Sequence, residues 1–142
     1  MQAFSIQEPY VKDFMQHLFT HDTFLDFEVR GVVVHNFTCF EISGETGEGY
    51  CTWGELRSYV RHIIGNKKPR AMKIIFARGN PETLHLNAAA LFVNVGYESD
   101  VITCTTASSQ KNFELNKVVD REWDRWVEEF FKSKGVYITK EE

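Results

Sequence analysis

Apolar and polar residues recur along this chain with two different periods, and the changes of period mark its elements. Over residues 9–20, Val11, Phe14, Met15, Leu18 and Phe19 fall at helical spacing and make one apolar stripe, the signature of a first helix. Pro9 suits the opening position of that helix, where its missing N–H has no partner to lose. Over residues 24–34 and 37–43 the period falls to two, which predicts two strands joined at His35-Asn36. Residues 44–49 read as a flexible acidic loop. Thr52 and Glu55 then carry the spacing of a capping box. Trp53, Leu56, Val60, Ile63 and Ile64 form the apolar face of a second helix, and Gly65 is a natural stop. Four more strands are predicted over residues 71–77, 91–97, 101–106 and 112–115, with Glu98-Ser99-Asp100 turning between the middle two. Val119, Trp123, Trp126, Val127, Phe130 and Phe131 mark a last helix over 118–134, ended by Gly135.

This order lacks the strict strand–helix alternation of a doubly wound parallel sheet. It predicts an α+β fold, a mainly antiparallel sheet of five to six strands with about three helices packed on it. The 142 residues suit a single globular domain over 1–142, large enough to fold without a disulfide or metal staple. Aromatic residues reach 14%, twelve of them Phe, which adds large rings to the core. No apolar run is long enough to span a bilayer, and residues 1–8 lack the basic and apolar regions of a secretory signal. Cys39, Cys51 and Cys104 are an odd set without paired spacing. Reduced thiols in a cytoplasmic protein are the expectation.

Several stretches are similar to a family of small uncharacterised proteins from clostridial-type (Firmicutes) bacteria. They are Val11-Lys12-Asp13-Phe14-Met15, Asp22-Thr23-Phe24-Leu25-Asp26-Phe27 and Phe37-Thr38-Cys39-Phe40-Glu41-Ile42-Ser43-Gly44. Met72-Lys73-Ile74-Ile75-Phe76, and Ile102-Thr103-Cys104-Thr105-Thr106 through Phe113, continue the likeness, followed by Asp120, Trp123, Asp124 and Phe130-Phe131. The family is a domain of unknown function. The resemblance implies a bacterial cytosolic domain and supplies no activity, ligand or catalytic residue.

Charge sets one stretch of the chain apart from the rest. Arg57, Arg61, Lys67, Lys68, Arg70, Lys73 and Arg78 lie in one stretch without an acid, in a chain of net charge −4. Such polarity makes a local site for an anion or an acidic partner, and Arg61, Lys67, Lys68 and Arg70 are its candidate residues. A solvated basic surface is the competing explanation, since charge clusters usually carry no site. The acidic pI of about 5.7 and the lack of a binding motif argue against nucleic acid.

Catalytic signals are sparse. Cys51, just before the capping Thr52, is the candidate nucleophile, because a helix N-terminus favours a thiolate. An inert thiol is the plainer reading, since no spacing places a base beside it. His17 and His21 stand at i, i+4, a spacing that puts two imidazoles on one metal, although no third ligand follows at a telling distance. Cys39 and Cys104 read as small core fillers. The expectation is therefore a non-catalytic binding or interaction module without a cofactor, with a second copy of itself or an acidic protein as its candidate partner. The alternative is a small enzyme or metal-dependent protein built on Cys51 or on His17 and His21.

Overall fold

The stretches of period two pair as antiparallel neighbours. The computed structural model describes residues 1–141. Its elements run β1 (Ala3–Ile6), α1 (Val11–Phe19), β2 (Glu28–His35), β3 (Cys39–Ser43), α2 (Trp53–Ile64), β4 (Ala71–Ala77), β5 (Ala88–Glu98), β6 (Val101–Gln110), α3 (Val118–Ser133) and β7 (Thr139–Glu141). The strands form one sheet in the order β3-β2-β4-β5-β6-β1-β7, with every pairing antiparallel. The α+β class and the three helices agree with the sequence pattern; the strand number is seven rather than five to six.

The two unforeseen strands, β1 and β7, belong to the chain ends, and β1 bridges β6 and β7. Phe4 and Ile6 of β1 are fully buried, yet four residues are too few to display a period. The predicted strand over 112–115 does not form. Asn87 and Asn112 exchange side-chain and backbone hydrogen bonds there, which closes β5 and β6 and leaves Phe113 and Leu115 exposed. Pro9 lies one residue before Tyr10, the N-cap of α1, and does not open the helix itself. Residues 24–27 form a turn before β2, with Phe24 buried under the sheet.

All three helix stripes cover one face of the sheet. Val32, Val34, Ile74, Phe76, Val95, Ile102 and Cys104 point into that layer, all at 0–1% exposure. They meet Phe14 and Leu18 of α1, Trp53 and Val60 of α2, and Trp123, Val127 and Phe131 of α3. Phe24 stacks on Phe76 at 5.1 Å and joins Phe14, Phe27, Phe130 and Phe131 in one ring cluster. Burying each such side chain contributes about 1.5–3 kcal/mol, so this layer dominates the stability. Hydroxyls of Thr106 and Ser108 donate to the Asp124 and Asp120 carboxylates and fix α3 along β6. The capping box of α2 forms as its sequence indicates, with Thr52 and Glu55 each bonding the other's backbone N–H.

The opposite face of the sheet carries no helix. Gly31, Val33, Lys73, Asn94, Gly96, Thr103 and Thr105 face outward on it by strand alternation from the buried set.

Candidate functional site

Two concave surfaces follow from this layering. A hollow of about 830 Å³ lies on the open sheet face, lined by small and polar side chains such as Asn94, Gly96, Thr103 and Thr105. The other, about 640 Å³, lies between α1 and the end of α2. Its floor is apolar: Val11, Met15 and Phe19 from α1, Ile64 from α2, Pro69, and Met72 from β4. Its rim is basic, with Lys12, Arg61, Lys67 and Lys68 set against the single acid Glu8. Ligand sites combine apolar surface to be buried with a few polar groups that set orientation, and the groove has both.

The sequence elements explain this arrangement. The stripe of α1 is wider than the sheet needs, so Met15 and Phe19 remain half-buried at its margin. The α2 helix stops at Gly65, whose φ of +71° suits a residue without a side chain. The chain then turns through Lys67 and Lys68 before entering β4, and the turn closes one end of the groove.

Three of the four sequence candidates, Arg61, Lys67 and Lys68, therefore share one rim, and Arg70 does not line it. The rest of the basic stretch disperses. Lys73 lies in the hollow of the open face, and the Arg57 guanidinium donates to the His21 carbonyl. Arg78 stacks over Trp126 with its guanidinium 4.7 Å from the ring centre. Burial there lowers the Arg78 pKa.

Residues absent from the sequence reading complete the rim. Lys12 comes from α1, and Tyr97 reaches the groove from β5. The Tyr97 hydroxyl donates to Asp100 at 3.1 Å, and the same carboxylate oxygen accepts from Lys68 at 3.3 Å. These bonds hold Asp100 below the ordinary carboxylate pKa, while the Asp100 bond raises that of Lys68. Burial, and then the bond to Asp100, raise that of Tyr97. Tyr97-x-x-Asp100 spans a hairpin whose two turn residues, Ser99 and Asp100, both have positive φ. Nothing in the periodicity of β5 announces that pairing.

The catalytic alternatives fare differently. Burial and then the neighbouring Glu55 carboxylate push the Cys51 thiol up rather than down. The capping box that marks α2 so clearly thus sets an anion beside the sulfur, which overrides the helix terminus. Neither influence favours a thiolate at Cys51. His17 is buried, its Nδ1 2.6 Å from the Thr23 hydroxyl and its Nε2 3.6 Å from Asp13. Burial is the main influence on it and lowers its pKa. The rings of His17 and His21 meet edge to face at 5.3 Å. Among the described residues, no cluster of three or more His, Cys, Asp or Glu is arranged to hold a metal.

Cys104 is a core residue as expected, but Cys39 is exposed on β3, with its sulfur 4.0 Å from His35 Nε2. The three thiols should therefore react with a disulfide reagent in three phases. Cys39 should be modified first, Cys51 more slowly, and fully buried Cys104 only on unfolding. Peptide mapping after timed labelling reads the order, and Cys51 reacting before Cys39 would contradict this account of its surroundings.

A family model spans residues 12–138, nearly the whole chain, and is described as a family of unknown function, DUF5721. The chain belongs to that family. The match covers β2 to β6, all but the first residue of α1, and the residues that line the groove other than Glu8 and Val11. No curated protein and no solved structure matches the chain. No helix is long and apolar enough to cross a membrane.

Proposed function

We propose that the chain acts as one non-catalytic binding domain, and that the groove between α1 and α2 receives an amphipathic anion. The observation that carries this reading is the placement of Lys12, Arg61, Lys67 and Lys68 around an apolar floor of Met15, Phe19, Ile64 and Met72. A carboxylate or phosphate would take the rim, and an aliphatic or aromatic body would cover the floor. A volume of about 640 Å³ suits a ligand of ordinary metabolite size. Exposed cations alone attract weakly, so most of the affinity would come from the apolar part, with charge setting orientation and association rate. A cytoplasmic setting belongs to the same reading and is supported by three unpaired thiols, which suit a reducing compartment.

Displacement of the fluorescent anion 8-anilinonaphthalene-1-sulfonate by decanoate and by decyl phosphate tests the proposal. The wild-type protein should bind both, and an Arg61→Ser/Lys67→Ser/Lys68→Ser variant should bind at least tenfold more weakly with an unchanged melting temperature. Arg70→Ser, outside the groove, should leave binding intact. Equal binding by the triple variant, or no binding by wild type at millimolar ligand, would overturn it.

A further inference from the structure

We infer that the β3 edge of the sheet is a self-association surface, through which two copies join into one continuous antiparallel sheet. Gly44 N–H donates to Arg30 and Thr38 accepts from Asn36 N–H, so even-numbered residues of this segment turn their backbone toward the β2 side. By antiparallel alternation, the N–H and C=O groups of Cys39, Glu41 and Ser43 point away from the sheet. The close approach of Cys39 to His35 agrees, because side chains come nearest in pairs that exchange no hydrogen bond.

Exposed edges are normally blunted by Lys, Pro, bulges or short length. The β7 edge is blunted: three residues, Thr139-Lys140-Glu141, with Lys140 tied to Glu128 at 3.2 Å. β3 has no Lys, no Pro and an unbroken register with β2. It is flanked instead by aromatic surface. Phe37, 91% exposed, packs edge-on against Phe40. Tyr59, 69% exposed, lies on the flank of α2 opposite Arg57 and Arg61, the two that turn toward α1. That flank overlooks β3, since the last turn of α2 sits above the β2–β3 turn, where Asn36 donates to the Ile63 carbonyl.

A second copy fits this edge by charge and size. Full overlap of two β3 strands would set Glu41 against Glu41. A two-fold axis through Phe40 avoids this, placing Cys39 opposite Glu41 and the bulky Phe37 opposite Ser43. Each outward backbone group of Cys39 and Glu41 then finds a partner in the other copy. With strands about 4.8 Å apart, the two β2 strands lie about 14 Å apart. The α2 helices above them are then a little beyond the 8–10 Å of direct helix packing, a gap the two Tyr59 side chains fill.

Light scattering on a sizing column at about 50 µM tests the surface. Wild type should show twice the 16.5 kDa chain mass. Phe37→Asp, at a side chain too exposed to affect folding, and Glu41→Pro, whose N–H faces outward, should each give monomers with an unchanged circular dichroism spectrum. Hydrogen exchange should show the amides of Cys39 and Glu41 protected in wild type and open in Phe37→Asp. A monomeric wild type overturns the inference, as does a dimer that survives both substitutions.

Discussion

Replacing Trp53 with alanine should remove about 4 kcal/mol or more of folding stability, within the 3–5 kcal/mol of a large buried aromatic and the extra cost of an orphaned carbonyl. Trp53 opens α2 and is fully buried, its ring edge-on to Phe76 at 5.5 Å and tilted against Phe19 at 5.6 Å. Its indole N–H donates to the Leu18 carbonyl at 2.6 Å. Leu18 lies in the last turn of α1, where carbonyls have no partner inside the helix. One side chain therefore fastens α2 to both the sheet and the end of α1. Against a total of roughly 5–15 kcal/mol, the alanine variant stands close to the limit of folding. Trp53→Phe separates the two contributions, since it keeps most of the packing and loses only the donor. Urea denaturation should place Trp53→Phe between wild type and alanine. A phenylalanine variant as unstable as the alanine one would show that the hydrogen bond, and not the ring, dominates. The groove gives a second readout, because Phe19 is shared between Trp53 and the groove floor. Loosening α1 from α2 should weaken ligand binding even where the protein remains folded.

Trp53 was legible from sequence for the reason that most of the core was. Its helix has a long stripe, a capping box and a glycine stop, and these signals depend only on residues near in sequence. The central strand β4 is found at the predicted limits because an apolar run bounded by Arg70 and Arg78 carries its own punctuation. β1 and β7 were illegible because both pairings are remote in sequence: β1 lies against β6, with Ala3 opposite Thr105, and β7 lies against β1, with Ala3 opposite Glu141. Residues 112–115 misled because Phe113 and Leu115 alternate like a strand; the Asn87–Asn112 exchange that stops β6 is a long-range contact. The groove divides in the same way. Its basic rim shows in sequence as a charge run, but the choice of Arg61, Lys67 and Lys68 over Arg70, and the arrival of Lys12 and Tyr97, depend on how α1 packs. Cys51 shows the opposite hazard, a local rule applied correctly but outweighed by burial and by Glu55.

Gly44 carries the second large effect, and its place in a glycine-rich acidic segment conceals it. It reads as one flexible loop residue among several, yet a Cβ built on it would lie 1.7 Å from the Val29 carbonyl oxygen and 2.7 Å from its carbon. Both neighbours are backbone, so no side chain can rotate aside. The backbone here is also heavily committed: Gly44 N–H donates to Arg30, its carbonyl accepts from Cys51, and the Cys51 carbonyl accepts from Val29 N–H. Moving Gly44 to admit a methyl group therefore strains the start of β2, the end of β3 and the entry to α2 together. Overpacking usually costs about 1–3 kcal/mol where side chains can adjust. With rigid backbone on the other side, Gly44→Ala should lie at or above the top of that range. At roughly 3 kcal/mol, the melting temperature of a chain this size should fall by about 6–12 °C. Gly31→Ala is the control, because its nearest neighbour, the Ile42 carbonyl oxygen, is 3.5 Å away in ordinary contact. It should be neutral or slightly stabilising, since alanine restricts the unfolded chain more than glycine. Thermal unfolding of the two variants side by side decides the matter. A Gly44→Ala protein that melts within 2 °C of Gly31→Ala would mean that β2 and β3 slide apart freely, and the β3 edge could not then hold a second copy in register.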